Sequence, residues 1–96
     1  MREIIDGNIY DTETAENLCQ HEEGKIGNWW WILETLYVTP EGNYFMHATG
    51  GCGTQYAVQE GNRMVGNRYT IYPVSEYNAR VTLELNCPRK ALELFY

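Results

Sequence analysis

Ninety-six residues with 44% hydrophobic and 14% aromatic content are enough for one compact domain with a modest core and too few for two, so residues 1–96 are expected to fold as one unit. The net charge of -6 speaks against direct binding of nucleic acid phosphates. The longest apolar run, Trp29 to Leu33, is far too short to cross a bilayer, and Met1 to Asp6 has no signal-peptide apolar region. The charge is also lopsided. Residues 1–23 carry seven acids against Arg2 alone, while the acids and bases of residues 24–96 cancel. Three cysteines, an odd number at spacings that fit no common framework, are read as free thiols of a reducing compartment, and hence of a cytoplasmic protein.

Glu3-Ile4-Ile5 and Asn8-Ile9-Tyr10 flank Asp6-Gly7, a hairpin signal that sets Ile4 across from Ile9. Asp11 follows as a helix N-cap with Glu13 in the first turn, and Ala15, Leu18 and Cys19 recur at helical spacing. A short acidic helix over residues 12–20 is expected. Its outer side would line up Glu13, Glu16 and Gln20 at intervals of roughly 5 to 6 Å, with Glu22 and Glu23 extending the acidity beyond its end. Glu22 to Asn28 then reads as a loop.

The central stretch is a second hairpin. Trp29 to Thr39 and Asn43 to Thr49 are rich in β-branched and aromatic residues, and Pro40-Glu41-Gly42 between them supplies a preset φ and a residue tolerant of positive φ. That loop pairs Val38 with Tyr44, Tyr37 with Phe45, Leu36 with Met46 and Thr35 with His47. By alternation, Trp29, Trp31, Leu33 and Tyr37 share one face, and Trp30, Ile32, Leu36 and Val38 the other. Each face is then strongly apolar, more than so short a chain can readily cover.

Gly50-Gly51-Cys52-Gly53 ends the hairpin. Gly61-Asn62-Arg63 and its echo Gly66-Asn67-Arg68 are turn chemistry in a loop, since repeat architectures need periods of 20 residues or more. Arg68 to Tyr72 is a further strand stopped by Pro73. Residues 76–86 fit two patterns. Val81, Leu83 and Leu85 alternate as in a strand, whereas the Ser75-Glu76 start and the four-residue steps Tyr77, Val81 and Leu85 favour a helix. Pro88 suits the first position of a last helix that buries Ala91, Leu92 and Phe95. The fold class expected is α+β: a small antiparallel sheet from the N-terminal hairpin, the central hairpin and one more strand, with a short acidic helix and C-terminal helices.

Catalytic machinery is not legible. Cys19, His21, His47, Cys52 and Cys87 lack the paired spacing of a zinc site. A Cys52 nucleophile would need a base and an orienting third group, and no such group is in sight. The glycine run lacks the Lys-Ser or Lys-Thr of a phosphate loop. No catalytic residue, metal or cofactor is therefore assigned. The candidate site is a protein-binding surface: Asp11, Glu13, Glu16, Glu22 and Glu23 as a charge run for a cationic groove, and Trp29, Trp31 and Tyr37 as aromatic anchors. Plain solvation of the acids and core packing of the aromatics are the bland alternatives.

Tyr10-Asp11-Thr12-Glu13-Thr14-Ala15, Glu34-Thr35-Leu36-Tyr37, Gly42-Asn43-Tyr44-Phe45 with His47 and Gly50-Gly51, and Tyr56-Ala57 resemble a group of small proteins carried by phages and other mobile elements of bacteria. The resemblance spans about residues 4–57 and, more weakly, Ile71 to Leu85, where it implies a strand running into a helix. It brings no catalytic residues. The Trp run, Cys52 and the Gly-Asn-Arg echo depart from it. By analogy with anti-CRISPR and anti-restriction proteins, it implies a non-enzymatic inhibitor in the bacterial host cytoplasm. Its partner would be a basic nucleic-acid-binding protein or a Cas effector complex, with no direct contact to nucleic acid and none to membrane. The rivals are a homodimeric module that self-associates through an open aromatic face, and a small Cys/His enzyme or metal protein.

Overall fold

A computed structural model describes all 96 residues as an α+β fold with eight strands and two C-terminal helices. Strands β1 (Arg2–Ile5) and β2 (Asn8–Asp11) form the N-terminal hairpin. Asp6 and Gly7 take φ of 51° and 81° to close it, and Ile4 pairs with Ile9 as expected.

The acidic helix over residues 12–20 does not form. Asp11 does act as a cap, its Oδ1 accepting the Glu13 N–H at 2.9 Å and its carbonyl accepting from Thr14 and Ala15, but only one turn results. The chain then extends as strand β3 (Glu16–Glu23). A register shift between Asn17 and Cys19 explains the misleading spacing: the bulge turns consecutive residues Leu18 and Cys19 inward together, which imitates a helical stripe.

β3 pairs with β4 (Ile32–Val38), and β4 with β5 (Tyr44–Gly50) in the register expected, from Val38 opposite Tyr44 to Thr35 opposite His47. Gly42 sits at φ 88° and donates to the Thr39 carbonyl, closing the turn. After β5 come a two-stranded ribbon, β6 (Val58–Glu60) and β7 (Arg63–Val65), and then β8 (Thr70–Val74). The main sheet has the order β3-β4-β5-β8. Pro73 lies inside β8, where an edge strand has no use for its missing N–H.

Residues 76–86 are helical. Ser75 caps α1 (Glu76–Asn86) by accepting from the Asn78 N–H at 3.1 Å, and Pro88 opens α2 (Pro88–Phe95). The buried stripe of α1 is Ala79 and Leu83, not Tyr77, Val81 and Leu85: Tyr77 and Leu85 are 64% and 78% exposed. In α2, Ala91 is buried and Phe95 half-buried, while Leu92 faces out. Small alanines let the helices lie close against the sheet.

Both sheet faces are covered. On one, Leu36, Met46 and Ala48 pack with Leu18, Ala79, Leu83 and Ala91. On the other, Phe45 and Ile71 pack with Tyr10, brought over by the β1–β2 hairpin, and Tyr37 stacks on Phe45 with ring centroids 5.1 Å apart. The thiols differ from expectation as well. Cys19 and Cys87 form a disulfide with Cα atoms 6.1 Å apart, tying β3 to the α1–α2 junction, and only Cys52 is free. Sixty-eight residues of sequence separate the two half-cystines, so their meeting is a product of the fold and not of local spacing. No helix is long and apolar enough to cross a membrane.

Candidate protein-binding surface

The three tryptophans do not alternate through a strand. Trp29 and Trp30 precede β4 in a turn and stand 67% and 70% exposed, whereas Trp31 is buried to 3%. Ile26, in the same loop, is 72% exposed. Large exposed indoles side by side are uncommon on a small monomer and suit a contact surface.

That loop is pinned by the glycine run. The Gly51 N–H donates to the Trp31 carbonyl at 2.8 Å and the Gly53 N–H to the Trp29 carbonyl at 3.0 Å. A Cβ on Gly51 would run into the Asn28 carbonyl oxygen and come within 2.7 Å of that of Trp29; one on Gly53 would meet the Trp30 ring at 2.9 Å. Gly66 closes from the other side, where a Cβ would lie 2.8 Å from the Cys52 nitrogen. The glycines thus allow three backbone segments to touch, and the indoles are presented on a braced platform. Between the segments lies a cavity of about 100 Å³ lined by Gly27, Asn28, Trp29, Gly51, Cys52, Gly66 and Asn67.

The acidic residues follow the edge of the sheet. Asp11 ends β2, Glu13 lies in the β2–β3 turn, Glu16 opens β3, and Glu22 and Glu23 close it. Most of these carboxylates have partners within the chain: Glu16 with Lys90 Nζ at 3.3 Å, Glu23 with His21 Nε2 at 3.1 Å, and Glu22 with the Trp31 indole N–H at 2.6 Å. The last bond joins the acidic edge to the tryptophan platform. Gly24, just beyond β3, reinforces the junction, since a Cβ there would stand 3.4 Å from the Trp31 Cα. Glu22, Glu23, Ile26, Trp29 and Trp30 therefore lie at and just beyond one end of β3, and Glu16 at its other end, with Asp11 and Glu13 in the chain that leads into it.

Of the expected aromatic anchors, Trp29 is available to a partner. Trp31 is a buried support, and Tyr37 is half-buried in the stack with Phe45. Trp30 and Ile26 belong to the surface as well, a place that sequence alternation does not reveal, because alternation through Trp29–Trp31 presumes a strand that begins only at Ile32. The signal that could have found them is Gly50-Gly51-x-Gly53, a run that needs some backbone to press against it.

The remaining chemistry is scattered. His47 stacks on Tyr69 at 4.6 Å, and burial, with the N-terminal ammonium adding to it, lowers its pKa. Cys52 Sγ lies 3.7 Å from the Met64 carbonyl, and neither histidine bonds to it. No three His, Cys, Asp or Glu side chains converge at ligand spacing. The Tyr56 hydroxyl donates to Glu34 and lies 3.1 Å from that of Tyr72; burial pushes both phenols above their ordinary pKa, the Glu34 bond adding to it at Tyr56. That cluster holds the loop after β5 against the sheet. No family model matches the chain, and no curated protein or solved structure is significantly similar to it. What the molecule offers a partner is therefore read from its own surface.

Proposed function

We propose that this chain is a non-enzymatic inhibitor of the anti-CRISPR kind, which binds a basic, nucleic-acid-handling protein complex inside a bacterial cell and blocks nucleic acid binding or nuclease recruitment. The observation that carries the reading is the exposure of Trp29 and Trp30 on a glycine-braced loop joined through Glu22 to an acidic sheet edge. A groove that binds phosphates presents arginine and lysine. Such cations pair with carboxylates and also lie well over indole faces, at roughly 0.5 to 2 kcal/mol per contact. Carboxylates steer the encounter, and desolvated tryptophans hold it. The biological setting, a protein of phages or other mobile elements of bacteria, is part of the proposal.

A purified Cas surveillance complex, mixed with the protein before target DNA is added, tests the idea. Lost DNA binding or lost cleavage, relieved when Glu22→Lys and Glu23→Lys are combined, is the expected result. Unchanged DNA binding and unchanged cleavage at low and moderate salt would refute it.

A further inference from the structure

We propose that the outer edge of β3 takes up an extended, basic segment of the partner as an added antiparallel strand centred on Gln20 to Glu22. Direction of the peptide groups is the starting point. In the β4–β5 hairpin, Thr39 donates to the Asn43 carbonyl and Trp31 accepts from Gly51. Backbone groups alternate sides along a strand, so Leu33, Thr35 and Tyr37 turn theirs toward β5, and Ile32, Glu34 and Leu36 turn theirs toward β3. The partners of this second set are Glu23, His21 and Cys19. Gln20 and Glu22 must then point N–H and C=O away from the sheet. Both residues are exposed, β3 pairs with no strand but β4, and no turn or loop bond uses their backbone.

The two edges of the sheet differ. β8 has five residues interrupted by Pro73, a device that discourages pairing. β3 has eight residues and no proline, and its bulge lies at Asn17–Cys19, leaving Gln20–Glu23 regular. An added strand would form about four main-chain hydrogen bonds there.

Charge decides the occupant. Glu22 and Glu23 project to opposite faces, so a strand laid alongside them meets a carboxylate on each side. Lys90, the ammonium nearest the other end of β3, is already shared between Glu16 and Glu93. A second copy of a chain with net charge -6 would be repelled along this edge, and a segment with adjacent basic residues would be attracted. The inference rests on the proposed function only for the existence of a protein partner, the sign of whose charge follows from Glu22 and Glu23. Absent inhibition of a Cas complex together with retained strand addition would retire that function and leave this mode standing.

The probe is a short peptide in which pairs of adjacent lysines alternate with pairs of valines, so that both faces of the strand carry ammonium groups, with the corresponding glutamate–valine peptide as control. Amide hydrogen exchange read by NMR should show at least about tenfold slower exchange at Gln20 and Glu22 with saturating basic peptide, and no change with the acidic one. Gln20→Pro removes an outward N–H that the native sheet does not use, and should weaken peptide binding about tenfold at unchanged circular dichroism. Should that variant misfold, the exchange result on the unaltered protein decides alone. Unprotected Gln20 and Glu22 amides, protection by both peptides, or a concentration-dependent dimer that protects the same amides without peptide would overturn the proposal.

Discussion

The Tyr56 hydroxyl has two partners, Glu34 and Tyr72, and all three side chains lie at least half-buried on the helix side of the sheet. Tyr56→Phe leaves the Glu34 carboxylate without its donor, and should cost about 1–3 kcal/mol in a urea titration. The same site sets an alkaline limit. Both phenols are raised above the roughly 10 of an unfolded tyrosine, so the folded protein keeps protons that the unfolded chain releases. Their contribution is complete below about pH 10 and is lost as pH climbs toward the folded values. Urea midpoints should hold level between about pH 8 and pH 10 and fall beyond it, less steeply in Tyr56→Phe. Gly51 makes the complementary case, in which a missing atom matters. Gly51→Ala places a methyl against the Asn28 and Trp29 carbonyls, and about 1–3 kcal/mol of destabilisation is expected from the forced backbone shift. Quenched or shifted tryptophan fluorescence would report the displaced loop.

Strand β3 and the α1–α2 junction are joined by the Cys19–Cys87 disulfide, which closes a loop of most of the chain. Constraining so long a segment typically contributes about 2–4 kcal/mol. Reduction, or the paired Cys19→Ser and Cys87→Ser changes, should lower the melting temperature by several degrees while the protein stays folded at room temperature. The buried contacts of Ala79, Leu83 and Ala91 hold the helices to the sheet without it. A reducing cytoplasm is where the proposed targets reside, so retention of the fold without the bond is also a condition of that function. Thermal melts followed at 222 nm with and without reductant give the comparison. The strand itself shows where local pattern misleads. Ala15, Leu18 and Cys19 fit a helical stripe, but the bulge at Leu18 produces the same spacing in extended chain, and pairing with an already strongly determined β4 settles the choice.

At the scale of the whole molecule, apolar side chains lie under the helices, under the β1–β2 hairpin, and outward both at the tryptophan end of the sheet and singly at Ile4, Tyr77, Leu85 and Leu92. Of the outward groups, the paired indoles of Trp29 and Trp30 are the largest side chains. Trp29→Ala with Trp30→Ala should cost no more than about 1 kcal/mol, since both side chains are mostly exposed and only the Trp30 ring gives up a contact, with Gly53, and should weaken target binding at least about tenfold. Calorimetry and a binding titration separate the two effects. Trp31→Ala should behave oppositely, with a loss of stability of about 3–5 kcal/mol for a buried tryptophan. Light scattering on the unaltered protein measures the competing use of the indoles, self-association.

By itself the sequence determined the two hairpins, their registers, the cap at Ser75, the start at Pro88 and the α+β class, because turn chemistry and side-chain alternation act over a few residues. It also placed the acidity in the first quarter of the chain. Only the tertiary structure decided that residues 16–23 are an edge strand, that Cys19 meets Cys87, that Ala79 and Leu83 rather than Tyr77 and Leu85 face the sheet, and that Trp31 is buried while Trp29 and Trp30 are not. Each of those outcomes depends on which distant backbone arrives alongside. The glycines at 51, 53 and 66 let that backbone come within touching distance, and the local pattern marks a close approach without saying which segment makes it.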